Sequence, residues 1–581
     1  MKLQVKYRFV FLMLSVLIIG SSFGQKVEIP LRFDKYYTYN EVVEAVKSLN
    51  KAYPELTKAV VVGKSEENRE IWALEINNPK TGPANEKPGV YVDANIHGNE
   101  IQAGEVALYF ADYLLKNYGK LADVTKNIDR NAFYIVPVVN VDGRYHFMAG
   151  GNTPNSNRSI RIPRDDDRDG LFDEDMYDDL DGDGNICQMR KKVDGGNYKL
   201  DSEDPRIMVR IKNGEKGSYQ LLGQEGIDND GDGKINEDTE GYVDPNRNWG
   251  YNWQPNYVQR GSGDFPFSGV GLKALANYIA ERENIIIVYA FHNNGGMFLR
   301  GPGVKEDDPL SAADIAVYDD LGKNAEKMVP GYKYLISWKD LYSTYGDFTD
   351  FTYNAFGAFG FVGELFQRES ETYTADKKKD TPEEGGFGRG ENYVRERELL
   401  KFNDNLAHGS LFKEWTPYKH PVYGDIEIGG WIKYSSRMPH PFMLPDLVHR
   451  NASAVIYAAS QTPDISMEVF KNEEIGKNLH RIYVRLRNSN AISSMTAHAI
   501  KTKIYPQDIL KVSGAKVIAG GKLNNEYTAD IQFKQHKPEV QFLSVPGYST
   551  VEYAFIIEGK GNVEISYESR KARNVKQSIK L

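Results

Sequence analysis

The 581-residue sequence contains a single cysteine, Cys187, which excludes a disulfide within the chain. It also lacks a basic excess, because 72 lysines and arginines face 81 acidic residues and the formal net charge is −9. We therefore expect neither nucleic acid nor an anionic membrane as a partner. With 40% hydrophobic residues, the chain is long enough for more than one core, so we expect two domains stabilised by packing and by ions.

Residues 1–24 have the three parts of a secretory signal. Basic residues come first, an apolar stretch follows over 9–20, and small residues stand near the end. A membrane anchor is the alternative, but the apolar stretch is shorter than a usual membrane span, and no later stretch is longer. The pattern predicts a mature chain from near Gln25 that is secreted or periplasmic. We expect no membrane association after cleavage, because no cysteine near this site could carry a lipid.

The stretch Val90–Glu105 runs from an apolar strand into a helix and carries His97 and Glu100. Gly98 permits a tight turn, so both side chains can face the carboxyl end of the strand, where open α/β sheets bind ligands. Imidazole and carboxylate groups are ordinary zinc ligands, but a catalytic site needs a third protein ligand and a position for water. Alone, this motif is also compatible with a surface histidine beside a glutamate at a helix N-terminus.

Two later apolar strands, expected at 285–291 and 357–362, run directly into His292 and Glu364. Together with the first motif they place polar residues at three strand ends, a pattern typical of an active site. The rest of this half of the chain predicts a mixed sheet with helices on its faces. Its expected elements are helices at 39–53 and 101–117 and strands at 58–62, 70–76 and 133–139.

Five elements in this order resemble the zinc carboxypeptidase family, the carboxypeptidase A-like metallopeptidases, over most of residues 28–415. They are His97-x-x-Glu100, Asp244-Pro245-Asn246-Arg247-Asn248-Trp249, His292, Tyr342 with the glycine loop and Asp350–Tyr353 after it, and Glu364-Leu365. The resemblance implies an α/β fold with a mixed, mostly parallel twisted sheet flanked by helices. It also implies a zinc ion held by His97, Glu100 and His292, and a peptide substrate with a free C-terminal carboxylate.

The resemblance assigns the catalytic base to Glu364, which would accept a proton from the activated water and deliver it to the leaving amine. The developing oxyanion needs a cation besides zinc. Arg190 is our candidate, because Met189-Arg190-Lys191 looks like the family's Trp-Arg-Lys segment. Arg161 and Arg164 are the alternatives.

Recognition of a terminal carboxylate is implied for Asn246 and Arg247, with the planar guanidinium binding both oxygens and Tyr342 closing over them. Asp244 would accept the second ring N–H of His97 and so fix its tautomer as a metal ligand.

Two positions depart from the family pattern. Asn99 stands where the digestive members carry arginine, as in related deacylases of the aspartoacylase type. This keeps open a zinc amidase or deacylase that acts on N-acyl amino acids or on peptidoglycan stem peptides. At the base of the specificity pocket, Thr349 predicts no sharp side-chain preference, although Asp347 nearby could attract a basic residue.

An acidic insertion over 164–240 repeats the Asp-x-Asp-x-Asp-Gly spacing of calcium loops three times. The candidate ligands are Asp165, Asp167 and Asp169, then Asp179, Asp181 and Asp183, and finally Asp228, Asp230 and Asp232. None of the loops has glutamate at its twelfth position, so they resemble thrombospondin type 3 or dockerin loops rather than EF-hands. Structural Ca²⁺ is our interpretation, and a solvated acidic loop is the alternative. With Arg190 at the end of the second loop, calcium would be required for catalysis.

The sequence pattern of the catalytic domain ends near Trp415. We expect a linker over 416–460 with a helix at 444–459, and then a small β-sandwich over 461–581, because alternating runs there are separated by turn residues. These divide the mature chain into a catalytic domain over 25–415, which contains the insertion, the linker and a stability or interaction module. A calcium-dependent binding protein without catalysis is a further alternative, although none of the residues whose loss would mark it is missing.

Overall fold

The computed structural model describes residues 31–165, 168–366 and 393–581. The expected signal sequence and Asp167 lie outside the described residues. In the described ranges, every helix is too short or too polar to cross a membrane. The helices are α1 Tyr39–Ala52, α2 Gln102–Asn117, α3 Ala122–Arg130, α4 Val141–Ala149, α5 Val270–Ala280, α6 Ala312–Met328, α7 Phe348–Phe356, α8 Tyr393–Asn405, α9 Leu444–Ser460 and α10 Ala497–Thr502.

The first strands of the chain belong to two sheets. They are β1 Thr57–Lys64, β2 Glu70–Ile76, β3 Gly89–Ala94, β4 Ala132–Val136, β5 Gln188–Gly196, β6 Tyr198–Leu200, β7 Met208–Arg210, β8 Gly217–Gln224, β9 Ile285–Asn293, β10 Met297–Arg300, β11 Lys333–Ile336, β12 Phe359–Leu365, β13 Phe412–His420 and β14 Gly424–Trp431.

The larger sheet has the strand order β1-β2-β4-β3-β9-β12-β10-β11. Its central strands β4, β3, β9 and β12 are parallel to one another, whereas β1–β2, β2–β4 and β12–β10 are antiparallel pairs. The expected mixed sheet with flanking helices is therefore confirmed. β3 and β9 are buried along their whole length because helices cover the central strands, which explains their nearly continuous apolar sequences.

The acidic insertion and the segment after the catalytic pattern form one sheet. Its order is β13-β14-β5-β8-β6-β7, with Glu427 of β14 opposite Arg190 of β5. In addition, α9 packs on α2, α3 and α6 of the catalytic core. The segment that we expected to be a linker is therefore part of the catalytic half, and only its helix matches that expectation.

The C-terminal strands form two facing sheets, β15-β16-β21-β18-β19 and β20-β17-β22-β23. The strands are β15 Ile465–Gly476, β16 Leu479–Asn488, β17 Asp508–Ser513, β18 Lys516–Asn525, β19 Asp530–Phe533, β20 Val540–Leu543, β21 Thr550–Glu558, β22 Asn562–Glu568 and β23 Val575–Lys580. Val484 and Phe555 from one sheet share a buried core with Leu510 and Ile565 from the other. This is the expected β-sandwich.

The sandwich docks at the end of the catalytic sheet remote from the predicted site. Lys571 is buried and donates to the carbonyl oxygen of Ile285, the first residue of β9. Burial lowers the pKa of Lys571 to about 7. Beside it, Arg570 forms a salt bridge of 2.6 Å with Glu283. Because these contacts are made by the start of β9 and His292 stands near its end, the sandwich can support this strand without reaching the site.

Candidate active site

The turn after β3 brings His97 and Glu100 to the carboxyl edge of the sheet. Asn95 takes the left-handed conformation, with a φ of 57°, and its side-chain amide donates to the carbonyl oxygens of His97 and Gly98. Gly98 is needed for close packing, because a Cβ there would lie 2.3 Å from the carbonyl oxygen of Asn157. The turn is thus pressed against the segment 155–158, which also contributes to the site.

His97, Glu100 and His292 converge on one point. The Nδ1 atom of His97 lies 3.0 Å from Oε1 of Glu100, and the Nδ1 atom of His292 lies 3.2 Å from Oε2. The two Nδ1 atoms are 3.2 Å apart. All three side chains are buried, with at most 3% of their surface exposed. Strand pairing sets this arrangement, since β3 and β9 are parallel neighbours whose carboxyl ends meet at this edge.

The chemistry of this donor set fits a zinc ion. Two imidazole nitrogens and two carboxylate oxygens face one another, and a proton on one nitrogen cannot satisfy all of these acceptors. A divalent cation can, and two histidines with one glutamate form a known catalytic zinc set that leaves a position for water. The three residues could therefore hold Zn²⁺ through both Nδ1 atoms and the carboxylate.

Asp244 lies behind His97. Its Oδ1 is 3.0 Å from Nε2 of His97 and also accepts from the backbone N–H of Asn246 at 2.8 Å. Burial alone would raise the pKa of Asp244, but His97, Arg247 and Arg158 outweigh it and hold the pKa well below its ordinary value. An ionised Asp244 keeps the proton of His97 on Nε2 and leaves Nδ1 as the metal-facing acceptor.

Glu364 lies on β12 directly opposite His292 in the parallel register between β12 and β9. Its side chain is partly exposed and is separate from the three converging residues. Although the side chain is partly exposed, desolvation of its carboxyl group by the surrounding residues raises the pKa of Glu364 to about 7, while His292 opposes this shift and Glu100 adds to it. A carboxyl group with this pKa, beside a metal-binding point, is suited to accept and return a proton near neutral pH.

Arg158 is a site residue that the sequence reasoning missed. Its NH1 donates to Oε1 of Glu100 at 2.7 Å, and its NH2 lies 3.0 Å from Nε2 of His97 and 3.7 Å from Oδ2 of Asp244. About 30% of the side chain is exposed, so a substrate could reach the guanidinium. The available signal was the position of Arg158 in the loop before the insertion, which the turn at Gly98 contacts.

The structure corrects the placement of Arg190. Its Nε pairs with Glu427 at 2.7 Å, and its guanidinium stacks on Trp415 and Tyr219 in the smaller sheet. It makes none of the contacts with Glu100 that an oxyanion arginine at this site would make. Its role here is to bind β5 to β14.

The two alternatives to Arg190 are also engaged elsewhere. Arg161 donates to Glu67 and to Asn157, and the guanidinium of Arg164 lies over the ring of Tyr242 at 4.1 Å.

Among the predicted substrate-binding residues, Asn246 contacts the start of α7, the helix that carries Thr349. Arg247 is 8% exposed and, among the described residues, pairs with no carboxylate within salt-bridge distance. Asn246 accepts from the backbone N–H of Phe348 at 2.9 Å and so fixes the start of α7. Tyr342 is 52% exposed. Thr349 is buried, and its hydroxyl donates to Asp347 at 2.8 Å.

The acidic loops differ from one another. In the second, the carboxylates of Asp179, Asp181 and Asp183 converge, but Nζ of Lys413 contacts Asp181 and lies 2.7 Å from Asp183. In the third, Asp228, Asp230 and Asp232 converge and Lys234 contacts Asp232. In the first, Asp165 accepts from the backbone of Arg168 and Gly170.

Two further clusters join the first and third loops. One contains Asp169, Glu174 and Asp230, and the other Asp175, Asp230 and Glu237.

Comparison with known proteins identifies the family of the chain. The sequence profile of the zinc carboxypeptidase family matches residues 42–176 and 218–383, which is more than half of the chain. The chain belongs to this family. A second profile, a domain of unknown function, matches residues 464–580, the β-sandwich.

Individual relatives match over shorter segments. Carboxypeptidase D of Anas platyrhynchos is 40% identical over 110 residues, which is 19% of this chain and 8% of that protein. Mast cell carboxypeptidase A of Rattus norvegicus is 32% identical over 127 residues, which is 22% of this chain and 30% of that protein. The carboxypeptidase A structure from Helicoverpa armigera aligns with a TM-score of 0.43 at 18% identity and covers 79% of this chain and 82% of that one.

Proposed function

We propose that the protein is a zinc-dependent carboxypeptidase that removes residues from the C-terminus of peptides. The observation that carries the proposal is the convergence of His97, Glu100 and His292 within 4.8 Å, with Glu364 opposite His292. Membership of the family supports the same reading.

The zinc ligands, Glu364 and Arg158 have separate roles in the proposed reaction. Zn²⁺ held by His97, Glu100 and His292 would act as a Lewis acid and lower the pKa of a bound water to about 7. Glu364 accepts the proton of the attacking water and passes it to the leaving amine nitrogen. Arg158 faces the charge that develops on the carbonyl oxygen of the scissile peptide, because its guanidinium lies 2.7 Å from Glu100 and about 30% of its side chain is exposed.

Arg247 recognises the free C-terminal carboxylate of the substrate. Arg247 is buried and, although it interacts electrostatically with Asp244, it forms no salt bridge with a carboxylate of the described residues, which favours binding of a carboxylate from the substrate. Asn246 orders the neighbouring helix start, and Tyr342 covers the bound end. The hydroxyl of Thr349 is already bound to Asp347, so the pocket gains no free donor from it.

The purified, zinc-loaded protein is expected to shorten free-acid peptides one residue at a time and to leave matching C-terminal amides intact. Arg247→Gln should raise KM about 10- to 100-fold, since a hydrogen bond to a charged group contributes about 1.5–3 kcal/mol. Arg260→Gln, an exposed arginine nearby, serves as the matched control. Mass spectrometry of a peptide library reads out both effects. Cleavage restricted to N-acyl amino acids or peptidoglycan stem peptides would replace the proposal with a deacylase or amidase.

We also propose that the insertion binds calcium outside the cytoplasm. The joint cluster of Asp175, Asp230 and Glu237 is the best supported position. Both carboxylate oxygens of Glu237 are buried and accept no hydrogen bond from the described residues. Burial and the neighbouring Asp175 raise the pKa of Glu237 to about 7. A hard cation bound by these carboxylate oxygens would pair with the unpaired oxygens of Glu237 and offset its repulsion by Asp175. The second loop is less in need of an ion, because Lys413 already neutralises it.

Calcium would act on catalysis through the base of the insertion rather than through Arg190. Asn157 donates its backbone N–H to Glu240, and Ile160 pairs with Val243, so the two ends of the insertion are tied together. One end carries Arg158 and the other Asp244. Ordering the insertion therefore orders both residues at the site.

Removing calcium with a chelator too weak to strip zinc is expected to lower kcat and the melting temperature. Calcium at a hundredfold excess over its Kd should stabilise the fold by about 2.7 kcal/mol. Glu237→Gln should weaken calcium binding, measured by calorimetry, whereas Glu215→Gln, an exposed glutamate paired with Lys199, should not. Full activity and an unchanged melting temperature in the calcium-free protein would contradict the link.

A further inference from the structure

A second guanidinium reaches the metal-binding carboxylate from a distant part of the chain. Arg437 follows β14 and lies outside the residues that match the family profile. Its NH2 donates to the carbonyl oxygen of Asn293 at 2.8 Å and lies 3.3 Å from Oε1 of Glu100. Its NH1 donates to Oδ1 of Asn155 at 3.3 Å. One side chain thus connects the turn after β3, the end of β9 and the segment that carries Arg158.

The two arginines approach the same oxygen of Glu100. Arg158 is 2.7 Å from Oε1, closer than Arg437, and both side chains are partly exposed. Asn99, which lies between His97 and Glu100, contributes no cation, and its amide group donates to the carbonyl oxygen of Pro154. The positive charge around Glu100 therefore comes from two residues that lie far from it in the sequence.

We infer that Arg437 is a positioning residue for Glu100, and that the segment after the smaller sheet completes the metal centre. The inference rests on the proposed function for its catalytic consequence, but not for its effect on metal binding. By holding Oε1 of Glu100 and the carbonyl of Asn293 together, Arg437 keeps the carboxylate facing His292, which precedes Asn293 on β9. Partners of this kind orient a metal ligand and raise metal affinity.

The backbone of Arg437 is anchored independently of its side chain. Its carbonyl oxygen accepts from the amide of Asn293 at 2.9 Å and from that of Gln102 at 3.3 Å. Shortening the side chain therefore leaves the segment docked, and a folded variant is expected.

The test compares Arg437→Gln and Arg437→Lys with the wild type and with Arg450→Gln. Arg450 is a matched control because it is an exposed arginine of α9 that pairs with Asp446 at 2.9 Å. Zinc affinity of the metal-free protein is measured by competition with a chromophoric chelator. Arg437→Gln should weaken zinc binding roughly 10- to 100-fold. Lysine should restore part of it, since one ammonium can reach Glu100 but cannot bridge all three acceptors.

At saturating zinc, kcat of Arg437→Gln should fall while KM stays within about twofold, because the substrate contacts are unchanged. Wild-type zinc affinity and kcat in both Arg437 variants would overturn the inference. If the wild type binds zinc but cleaves no peptide, the proposed function fails, and the zinc affinities still decide the role of Arg437.

Discussion

Replacement of Glu364 by glutamine is expected to lower kcat by about 10²- to 10⁴-fold, the usual contribution of a general base, while zinc remains bound. Glutamine keeps the size of the side chain but cannot accept the proton of the attacking water. Zinc should stay because Glu364 is not among the three residues that converge at the metal point. The measurements are steady-state kinetics on a free-acid peptide and zinc content by elemental analysis.

Glu283→Gln is the matched control for this substitution. Glu283 is an exposed glutamate that pairs with Arg570 at the opposite end of β9, so its change should leave kcat unaltered. A Glu364→Gln enzyme that retains zinc and more than a tenth of the wild-type kcat would exclude Glu364 as the base. Loss of zinc from this variant would instead make Glu364 a metal ligand.

Local sequence patterns were sufficient where a strand delivers a residue directly to the sheet edge. His292 and Glu364 end apolar runs, and His97 and Glu100 follow one, so their placement follows from strand pairing. In this parallel arrangement, neighbouring strands must end at the same edge. The mixed sheet and the β-sandwich followed from the same periodicities.

Long-range pairing could not be predicted in this way. The insertion strand β5 pairs with β14, more than two hundred residues later, and this pairing makes the expected linker a structural part of the catalytic half. The contact of Arg437 with Glu100 and that of Lys413 with Asp183 depend on the same arrangement. Lysine and arginine have no characteristic spacing that would reveal such partners, so only the fold identifies them.

The sequence alone could not show whether Arg158 or Arg190 lies at the site. Comparing kcat of Arg158→Gln with kcat of Arg190→Gln tests which of the two stabilises the oxyanion. Arg158→Gln is expected to lower kcat by about 10²- to 10³-fold, as removal of an oxyanion donor does, with a smaller change in KM. Arg190→Gln should leave kcat nearly unchanged, because its guanidinium is held by Glu427 and Trp415 in the smaller sheet. Arg190→Gln should instead lower the melting temperature, because the contacts of Arg190 in the smaller sheet are lost.

A third variant, Arg158→Lys, and a transition-state analogue test whether Arg158 is the oxyanion cation. Arg158→Lys should recover only part of the lost rate, since an ammonium cannot donate simultaneously to Glu100 and to the substrate oxygen in the geometry of a planar guanidinium. A transition-state analogue should bind more weakly to Arg158→Gln by about the same factor as kcat/KM falls, while binding to Arg190→Gln is unchanged. If Arg190→Gln lost the activity and Arg158→Gln kept it, the oxyanion cation would have to come from the smaller sheet through a rearrangement. Loss of activity in Arg158→Gln together with retained activity in Arg190→Gln would assign the oxyanion role to Arg158, which lies 2.7 Å from Glu100.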